Sequence, residues 1–289
     1  MAKQKEIFQV PLGETKVLLH TCCAPCSSAI IECLMKHGVT PVIYYCNPNI
    51  YPHEEYEIRK NECTRYAESL GLEIIDADYD HENWLECVKG LENEPERGGR
   101  CLKCFKLRLL RTAEYAAAHG IRVITSTLAS SRWKSLDQIN EAGQWACEQI
   151  NSMLSSGKTG DFPDKLEKYL PSSGKTGDFP DNLEKYLPPS GKTGDFPYEP
   201  SDLLALSGKT AESPDRNSPS ESPGVTWWPH NWKKGGLQER RLQIIKEYGF
   251  YNQLYCGCEF SMNAKPGCEP VKTSQSSDEF GQTSVKPGL

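Results

Sequence analysis

Seven of the thirteen cysteines in this 289-residue chain fall into three tight groups. In chain order, the groups are Cys22 with Cys23 and Cys26, Cys101 with Cys104, and Cys256 with Cys258. A thiolate is a soft, electron-rich ligand, and four of them together bind an iron–sulfur cluster or a tetrahedral zinc ion. Because the groups are far apart in the sequence, only a folded domain brings them together. The pattern therefore predicts a metal or redox site assembled by the tertiary structure.

The start of the chain and its composition indicate a cytoplasmic protein. It begins Met-Ala-Lys-Gln-Lys without an apolar leader segment, and none of its apolar runs is as long as a membrane span. Cytosolic thiols stay reduced, so thirteen cysteines are not expected to form a disulfide framework. We therefore predict no membrane partner, and cysteines that serve metal or redox chemistry.

A strict repeat interrupts the chain. The sequence Gly-Lys-Thr recurs every 17 residues, at Gly157, Gly174, Gly191 and Gly208. A phosphate-binding loop needs another glycine five residues earlier, and none of the four copies has one. Each unit also holds too few apolar residues to bury a stacked core. The repeat therefore predicts a low-complexity, largely disordered insertion over residues 151–224, with a partner-binding segment as the alternative.

Outside that insertion, short apolar runs alternate with helical segments. The predicted strands are Val17–His20, Val42–Cys46, Glu73–Ala77 and Arg122–Ser126. The predicted helices are Ser27–His37, Tyr56–Leu70, His81–Leu91, Cys101–His119, Lys134–Glu148 and Leu237–Tyr248. Short buried strands separated by helices are typical of an α/β fold, in which a parallel sheet has helices on both faces.

We predict that this α/β fold is one catalytic domain in two parts. Residues 1–150 form the first part, and residues 225–262, with the Cys-Gly-Cys segment, form the C-terminal part. The insertion separates them, and residues 263–289 form a disordered tail. Ligands of parallel sheets bind beyond the carboxyl ends of the strands. The turns after the first, second and fourth strands should therefore converge on one rim.

Four thiolates at that rim suffice for a metal centre. Cys22 and Cys23 lie in a turn that enters a helix, where backbone amides and the helix dipole favour the thiolate. Cys101 and Cys104 are spaced i, i+3 at a helix start, so both sulfurs point the same way. Structural zinc usually uses two Cys-x-x-Cys pairs rather than an adjacent Cys-Cys pair. The residue types therefore favour an iron–sulfur cluster over zinc.

The segment Cys256-Gly257-Cys258 has a different character. Glycine between two cysteines allows the tight turn that a disulfide across one residue needs, and such a strained bond is easily reduced. Two alternatives stay open: both cysteines hold a second metal together with Cys26, or they are structurally inert. We favour a redox-active pair beside the metal centre.

Six separated motifs stand out along the chain. They are His20-Thr-Cys-Cys-Ala-Pro-Cys26, Asn47-Pro-Asn-Ile-Tyr-Pro52 with Glu55-Tyr56, Arg100-Cys-Leu-Lys-Cys-Phe105, Thr125-Ser-Thr-Leu128 with Ser131 and Lys134, Trp232-Lys-Lys-Gly-Gly-Leu237, and Tyr255-Cys-Gly-Cys258. Together they resemble the motifs of the QueH-type epoxyqueuosine reductases. The likeness runs from about Lys16 to Met262, interrupted by the repeat insertion. The motifs agree in order and in cysteine spacing, which makes the match specific.

The resemblance implies an enzyme of tRNA processing and queuosine biosynthesis. Such an oxidoreductase reduces the epoxide of epoxyqueuosine, at the wobble position in the anticodon loop, to queuosine without cobalamin. The implied fold is a nucleotide-hydrolase-like α/β sandwich. The implied reaction is a two-electron deoxygenation, and it draws on an external electron donor.

The resemblance also implies roles for individual cysteines. Four match the ligands of a [4Fe-4S] cluster: Cys22, Cys23, Cys101 and Cys104. Two match a redox-active disulfide pair that takes part in catalysis: Cys256 and Cys258. Some members carry an aspartate at the position of Cys26, near an additional mononuclear iron, so the role of Cys26 as a metal ligand stays open.

A tRNA substrate predicts basic and aromatic side chains near the cysteines. The candidate substrate-binding residues are Tyr56, Arg132, Lys134, Lys233 and Lys234. Further basic candidates recur along the helix that starts at Cys101, namely Lys103, Lys106, Arg108 and Arg111. Further aromatic residues available for stacking are Tyr51, Trp133, Trp228 and Trp232.

Two other classes of protein stay open. A tRNA-thiolating or adenylating enzyme would share the fold and the iron–sulfur ligands, but it needs a glycine-rich pyrophosphate loop, and Thr21–Ser28 contains no glycine. A zinc-binding nucleic-acid module would have four thiolates but no use for Cys-Gly-Cys. Reduction of epoxyqueuosine is therefore the predicted function.

Overall fold

A computed structural model describes residues 8–77, 79–156 and 224–262. The repeats and the tail after residue 262, for which disorder is predicted, lie outside the described residues. Five strands form one sheet in the order β3-β2-β1-β4-β5, and each neighbouring pair is parallel. The strands are β1 Lys16–Thr21, β2 Thr40–Tyr45, β3 Ile74–Asp76, β4 Val123–Ser126 and β5 Thr226–Trp227. The predicted α/β fold with a parallel sheet is confirmed.

Helices connect the strands and cover the sheet. They are α1 Ala24–Lys36, α2 His53–Ser69, α3 His81–Val88, α4 Gly99–Ala118, α5 Leu136–Ser155, α6 Leu237–Tyr248 and the short α7 Glu259–Met262. Two 3-10 turns, Pro11–Gly13 and Thr127–Ser130, precede β1 and follow β4. No helix in the described parts of the chain is both long and apolar enough to cross a membrane.

The central strand divides the core into two layers because its side chains alternate between the faces of the sheet. Val17 and Leu19 pack with side chains of α1, α2 and α6, whereas Leu18 packs with side chains of α4 and α5. Burial on both faces explains why β1 and β2 are almost continuously apolar rather than alternating. Helices therefore lie on both faces, as predicted.

The end of β1 is fixed by a buried histidine. His20 joins three strands at their carboxyl ends, since its Nε2 lies 3.0 Å from the Cys46 carbonyl oxygen and its Nδ1 lies 2.9 Å from the Ser126 hydroxyl. Burial, together with the charge of Arg108, lowers the pKa of His20 to about 3, so its ring is neutral. The neutral histidine thus holds the ends of the three strands together, directly before the turn that contains Cys22 and Cys23.

The largest differences from the predicted elements flank the insertion. The helix predicted to end at Glu148 continues to Ser155, and the unpredicted strand β5 follows at Thr226–Trp227. Asn151 of α5 joins the two ends, because its amide donates to the Val225 carbonyl at 3.0 Å and accepts from the Val225 N–H at 2.8 Å. A strand of two residues is too short to show an apolar pattern in the sequence, so β5 is recognised only from its pairing with β4.

Candidate metal and redox site

The β1–α1 turn gathers three thiols at the carboxyl end of the sheet. Cys22 and Cys23 directly follow β1, and Cys26 lies in the first turn of α1. Their sulfurs lie within 4.8 Å of one another, and the Cys22 and Cys23 sulfurs are 3.9 Å apart. A tetrahedral ion with metal–sulfur bonds of about 2.3 Å holds its ligand sulfurs about 3.8 Å apart. The three-thiol group therefore has the size and the chemistry to hold one metal ion.

The three thiols share negative charge unequally. Hydrogen bonds with Cys23 and Cys26 hold the pKa of Cys22 well below its ordinary value, with support from the charge of Lys134 and the hydroxyl of Thr127. Burial raises the pKa of Cys23, and the neighbouring Cys22 raises the pKa of Cys26 to about 11. Further ionisation of this group is costly unless a cation is bound, because like charges repel in a buried site.

The two cysteines of α4 pack in different clusters of the core. Cys101 packs against the buried cluster that contains Cys22 and Cys23, whereas Cys104 packs in a smaller cluster with Cys258. The backbone N–H of Arg97 donates to the Cys101 sulfur at 3.3 Å. The first turn of α4 therefore lies beside the Cys-Gly-Cys segment, because Cys104 and Cys258 share one small cluster against which Cys256 also packs.

Cys256 and Cys258 are both free thiols of unequal acidity. The hydrogen bond with Cys258, supported by the charge of Lys134, holds the pKa of Cys256 well below its ordinary value. The same neighbour effect raises the pKa of Cys258. A thiolate beside a thiol is the form that takes part in thiol–disulfide exchange. The segment is thus chemically suited to a dithiol–disulfide cycle.

The backbone of the Cys-Gly-Cys segment pairs with the turn after β2. Ile50 and Cys258 form an isolated antiparallel bridge, and the N–H of Tyr51 donates to the Gly257 carbonyl at 2.9 Å. Gly257 has φ of +99°, in the region that side chains disfavour. A Cβ there would lie 3.0 Å from Ile50 Cγ1. Glycine is therefore needed both for the backbone conformation and for the close approach.

A buried arginine holds the segment from α2. The Arg59 guanidinium pairs with Glu55 at 2.6 Å and donates to the carbonyl oxygens of Tyr255 and Cys256 at 3.4 and 3.5 Å. Its Nη1 atom would lie 2.9 Å from a Cβ at Gly257. Arg59 therefore positions the Cys-Gly-Cys segment, although Arg59 belongs to none of the sequence motifs.

Two side chains connect the cysteine groups. The Gln253 amide nitrogen lies 2.7 Å from the Cys23 sulfur and 3.8 Å from the Cys26 sulfur. Its amide oxygen is buried and has no hydrogen-bond partner among the described residues. The positive charge of Lys134 favours the thiolate forms of Cys22 and Cys26 in one group and of Cys256 in the other. The sequence does not predict a role for Gln253, because this residue belongs to none of the motifs.

The predicted substrate-binding residues differ in exposure. Arg132, Lys233 and Lys234 are exposed and Lys134 is half-buried. Burial, with the charges of Arg97 and Lys134, lowers the pKa of Lys233, which indicates that Lys233 lies near those two cations. Tyr56, in contrast, is 1% exposed, and its hydroxyl donates to Asp76 at 2.8 Å. Its ring lies within the core rather than at the surface of the rim.

The other aromatic candidates also divide by exposure. Trp228 and Trp232 are buried, whereas Tyr51 is 43% exposed and its ring stacks on His81 with centroids 5.7 Å apart. Trp133 is half-buried under the Arg132 guanidinium, 4.5 Å from the ring centroid. Among these rings, Tyr51 therefore offers the most accessible stacking surface beside the Cys-Gly-Cys segment.

The basic residues of α4 also face in different directions. Arg108 and Arg111 are buried, and Lys106 pairs with Glu141 at 2.9 Å. Lys103 alone of the four predicted cations is exposed. The interpretation of Arg108 and Arg111 as phosphate contacts is therefore wrong, because both side chains are buried: Arg108 contacts Cys104, and Arg111 pairs with Asp80.

A family model and several known proteins are similar to most of this chain. The family model described as "Epoxyqueuosine reductase QueH" matches residues 17–159 and 209–264, which include all three cysteine groups. A protein of that name from Haemophilus influenzae is 34% identical over 258 residues, covering 89% of this chain and 76% of the relative. The namesake from Acinetobacter baylyi is 34% identical over 262 residues, covering 91% and 87%. One from Histophilus somni is 35% identical over 255 residues, covering 88% and 75%.

Proposed function

Because the chain belongs to the QueH family of epoxyqueuosine reductases and is an oxidoreductase, we propose that it reduces epoxyqueuosine at the wobble position of tRNA to queuosine. One observation carries the proposal. Gln253, three residues before Cys256, lies 2.7 Å from the Cys23 sulfur, so a candidate redox pair adjoins a candidate metal site. A thiolating or adenylating enzyme has no need of that pairing, and neither has a zinc-binding module.

The thiols fit the metal groups that this family implies. We propose that a [4Fe-4S] cluster is held by Cys22, Cys23, Cys101 and Cys104. The donors are all thiols, two from the first turn of α4 and two from the turn that enters α1. Cys26 is the one thiol of the three-thiol group that the cluster does not use, and we propose that it holds an additional mononuclear iron. The buried Gln253 oxygen, which has no hydrogen-bond partner among the described residues, is a further oxygen donor on the same side chain that contacts Cys26.

Cys256 and Cys258 match the stoichiometry of the reaction. Converting the epoxide to an alkene breaks two C–O bonds, consumes two electrons and two protons, and releases water. Oxidation of two thiols forms one S–S bond and releases two electrons and two protons, so one pair balances one turnover. An external electron donor then reduces the disulfide for the next cycle.

The chain's own groups prepare that chemistry. When bound, the cluster would relay single electrons and an iron at Cys26 would act as a Lewis acid towards the departing oxygen. Lys134 favours the thiolates of Cys22 and Cys256, since its positive charge lies close to both. Gln253 orients Cys23 relative to the redox segment.

We propose that the tRNA anticodon loop binds across the same rim. Phosphates would contact the cations at its surface, which are Arg132, Lys134, Lys233 and Lys234. The exposed ring of Tyr51 would stack on an unpaired base next to the redox pair. In this proposal the wobble nucleotide would lie between a phosphate-binding side and an aromatic side. A tRNA substrate also agrees with the predicted cytoplasmic location.

The proposal is tested on tRNA from cells that lack this gene and any cobalamin-dependent enzyme for the same step. Mass spectrometry should detect epoxyqueuosine in place of queuosine. The wild-type gene should restore queuosine, whereas the Cys256→Ala variant should not. Cys87→Ala is a matched control, because Cys87 is a half-buried cysteine outside the three groups. Normal queuosine in the deletion strain would exclude the proposed function.

The cofactor part has a separate test. Protein purified without oxygen should be brown, contain about four or five iron atoms per chain, and give an electron paramagnetic resonance signal on reduction. A colourless protein loaded with zinc would contradict the cluster.

A further inference from the structure

A buried arginine lies against the second cysteine pair. Arg108, one helical turn beyond Cys104 in α4, is 2% exposed. Its Nε donates to the Cys46 carbonyl at 3.1 Å, its Nη2 donates to the Asn47 side-chain oxygen, and its Nη1 lies 3.9 Å from the Cys104 sulfur. Two of its three contacts thus end on neutral oxygens, and the third ends on a thiol.

Arg108 has no carboxylate partner among the ion pairs of the described residues. Buried charges are normally paired with an opposite charge as well as hydrogen-bonded, because moving an uncompensated charge out of water costs several kcal/mol. Other buried arginines follow this rule: Arg59 pairs with Glu55 at 2.6 Å, and Arg111 pairs with Asp80 at 2.8 Å. Arg108 differs from them and therefore needs an anion nearby. Among its contacts, only the Cys104 sulfur can carry a negative charge.

A second guanidinium repeats the pattern on the same helix face. Arg100 precedes Cys104 by four residues, as Arg108 follows it by four, so all three side chains share one side of α4. Arg100 is also 2% exposed, and its Nη1 donates to backbone carbonyls, including that of Glu92 at 2.7 Å. No carboxylate pairs with it in the parts of the chain that the structure describes.

We propose that Arg108, with Arg100, is a positioning residue that supplies the counter-charge of a metal–thiolate centre at Cys101 and Cys104. The inference rests on the proposed metal centre but not on the proposed substrate. Positive charge near a cluster stabilises its reduced, more negative state and so raises its reduction potential. It also favours the thiolate that a metal needs as ligand.

A purely structural role makes different predictions. Arg108 also ties the turn after β2 to α4 through Cys46 and Asn47, and a neutral side chain with hydrogen-bond donors would preserve part of that tie. Arg108→Gln keeps an amide donor and removes the charge, whereas Arg108→Lys keeps the charge and loses the planar fork. The two variants therefore separate charge from geometry.

The experiment compares full-length wild type, Arg108→Gln, Arg108→Lys, Arg100→Gln and the control Arg111→Gln, all loaded with iron and sulfide without oxygen. Arg111 is a matched control because it lies on the same helix and is also buried, but it pairs with Asp80. Two quantities are measured: the reduction potential, from a redox titration followed by electron paramagnetic resonance, and the rate of metal loss to a chelator.

Charge compensation predicts that Arg108→Gln shifts the potential to a more negative value. It also predicts metal loss about 10-fold faster or more, the range for partners that support metal ligands. Arg108→Lys should stay close to wild type in potential, and Arg100→Gln should shift it in the same direction as Arg108→Gln. Arg111→Gln should lower thermal stability without moving the potential.

Several results would overturn the inference. They are an unchanged potential and unchanged metal loss in Arg108→Gln, an equal shift in Arg111→Gln, or a shift in Arg108→Lys as large as that in Arg108→Gln. If Arg108→Gln does not fold, Arg100→Gln decides by the same two measurements. If the wild type holds zinc, the chelator rates alone decide. Because neither readout uses tRNA, failure of the proposed function would leave these results unaffected.

Discussion

The two outer cysteine groups at the rim are held by different means. The Cys22–Cys26 turn directly follows β1, the central strand, which pairs with β2 on one side and with β4 on the other. The Cys256–Cys258 segment has no strand of its own beyond one bridging pair. Its position depends on a buried arginine from α2 and on backbone contacts with Ile50 and Tyr51.

That difference suits the two kinds of chemistry proposed for these groups. A metal centre needs ligands whose positions do not change, and a turn between a buried strand and a buried helix gives that rigidity. A redox pair must form and break a bond of about 2.05 Å, so its sulfurs have to move. A loop held by a few polar contacts permits such movement, since loops open at lower free energy than core strands.

The largest expected effects come from the cysteines themselves, and they separate the two groups. Cys23→Ser should abolish both metal binding and queuosine formation, because it removes a proposed metal ligand from the rigid group. Cys256→Ser should abolish queuosine formation but retain the metal. Metal analysis and tRNA mass spectrometry of both variants provide the measurement. Loss of metal in Cys256→Ser would contradict this separation and would show that both groups belong to one metal site.

The next largest effect is expected at Arg59. Arg59→Ala leaves Glu55 buried without its partner, and breaking a buried pair costs about 3–5 kcal/mol of unfolding free energy. The Cys-Gly-Cys segment should also become more mobile, so hydrogen exchange at residues 255–258 should rise. Lys60→Ala, in the same helix but with a more exposed pair, should cost less than about 1 kcal/mol in urea unfolding. Equal losses in both variants would contradict this account.

A smaller effect is expected at Gly257. Gly257→Ala forces a side chain into a left-handed conformation and against Arg59, with a cost of about 1–3 kcal/mol. Gly249→Ala is the control, because its φ is +64° and nothing lies within 4 Å of its added Cβ. The difference in unfolding free energy between the two variants measures the contact alone. If Gly249→Ala costs as much, close packing beneath the redox segment is not important.

The smallest effect is expected from the insertion. Deletion of residues 160–208, which the family match leaves out, should preserve queuosine formation. Asn151 already joins the flanking segments through Val225. If the repeats form a flexible loop, as predicted, shortening it should stabilise the fold by about 1 kcal/mol in urea unfolding. Loss of metal in the deletion variant would show that the repeats support the site.

Much of the fold could be predicted because its signals are local. The apolar runs of β1 and β2 and the glycine that follows α1 report their elements directly. The roles of Gln253 and Arg59 could not be predicted, because their partners lie some 200 residues away in the chain. Arg108 was misinterpreted because the spacing of charges along a helix does not show which side is buried.

The sequence by itself determined the fold class, the family and the seven clustered cysteines, since these depend on residue types, their order and their short-range spacing. Only the tertiary structure decided which groups meet. It places Cys26 within one three-thiol group, brings Gln253 to Cys23, buries Tyr56 and turns Arg108 towards Cys104. The physical reason is that burial and contact arise from packing between distant segments, which a linear pattern of residues does not record.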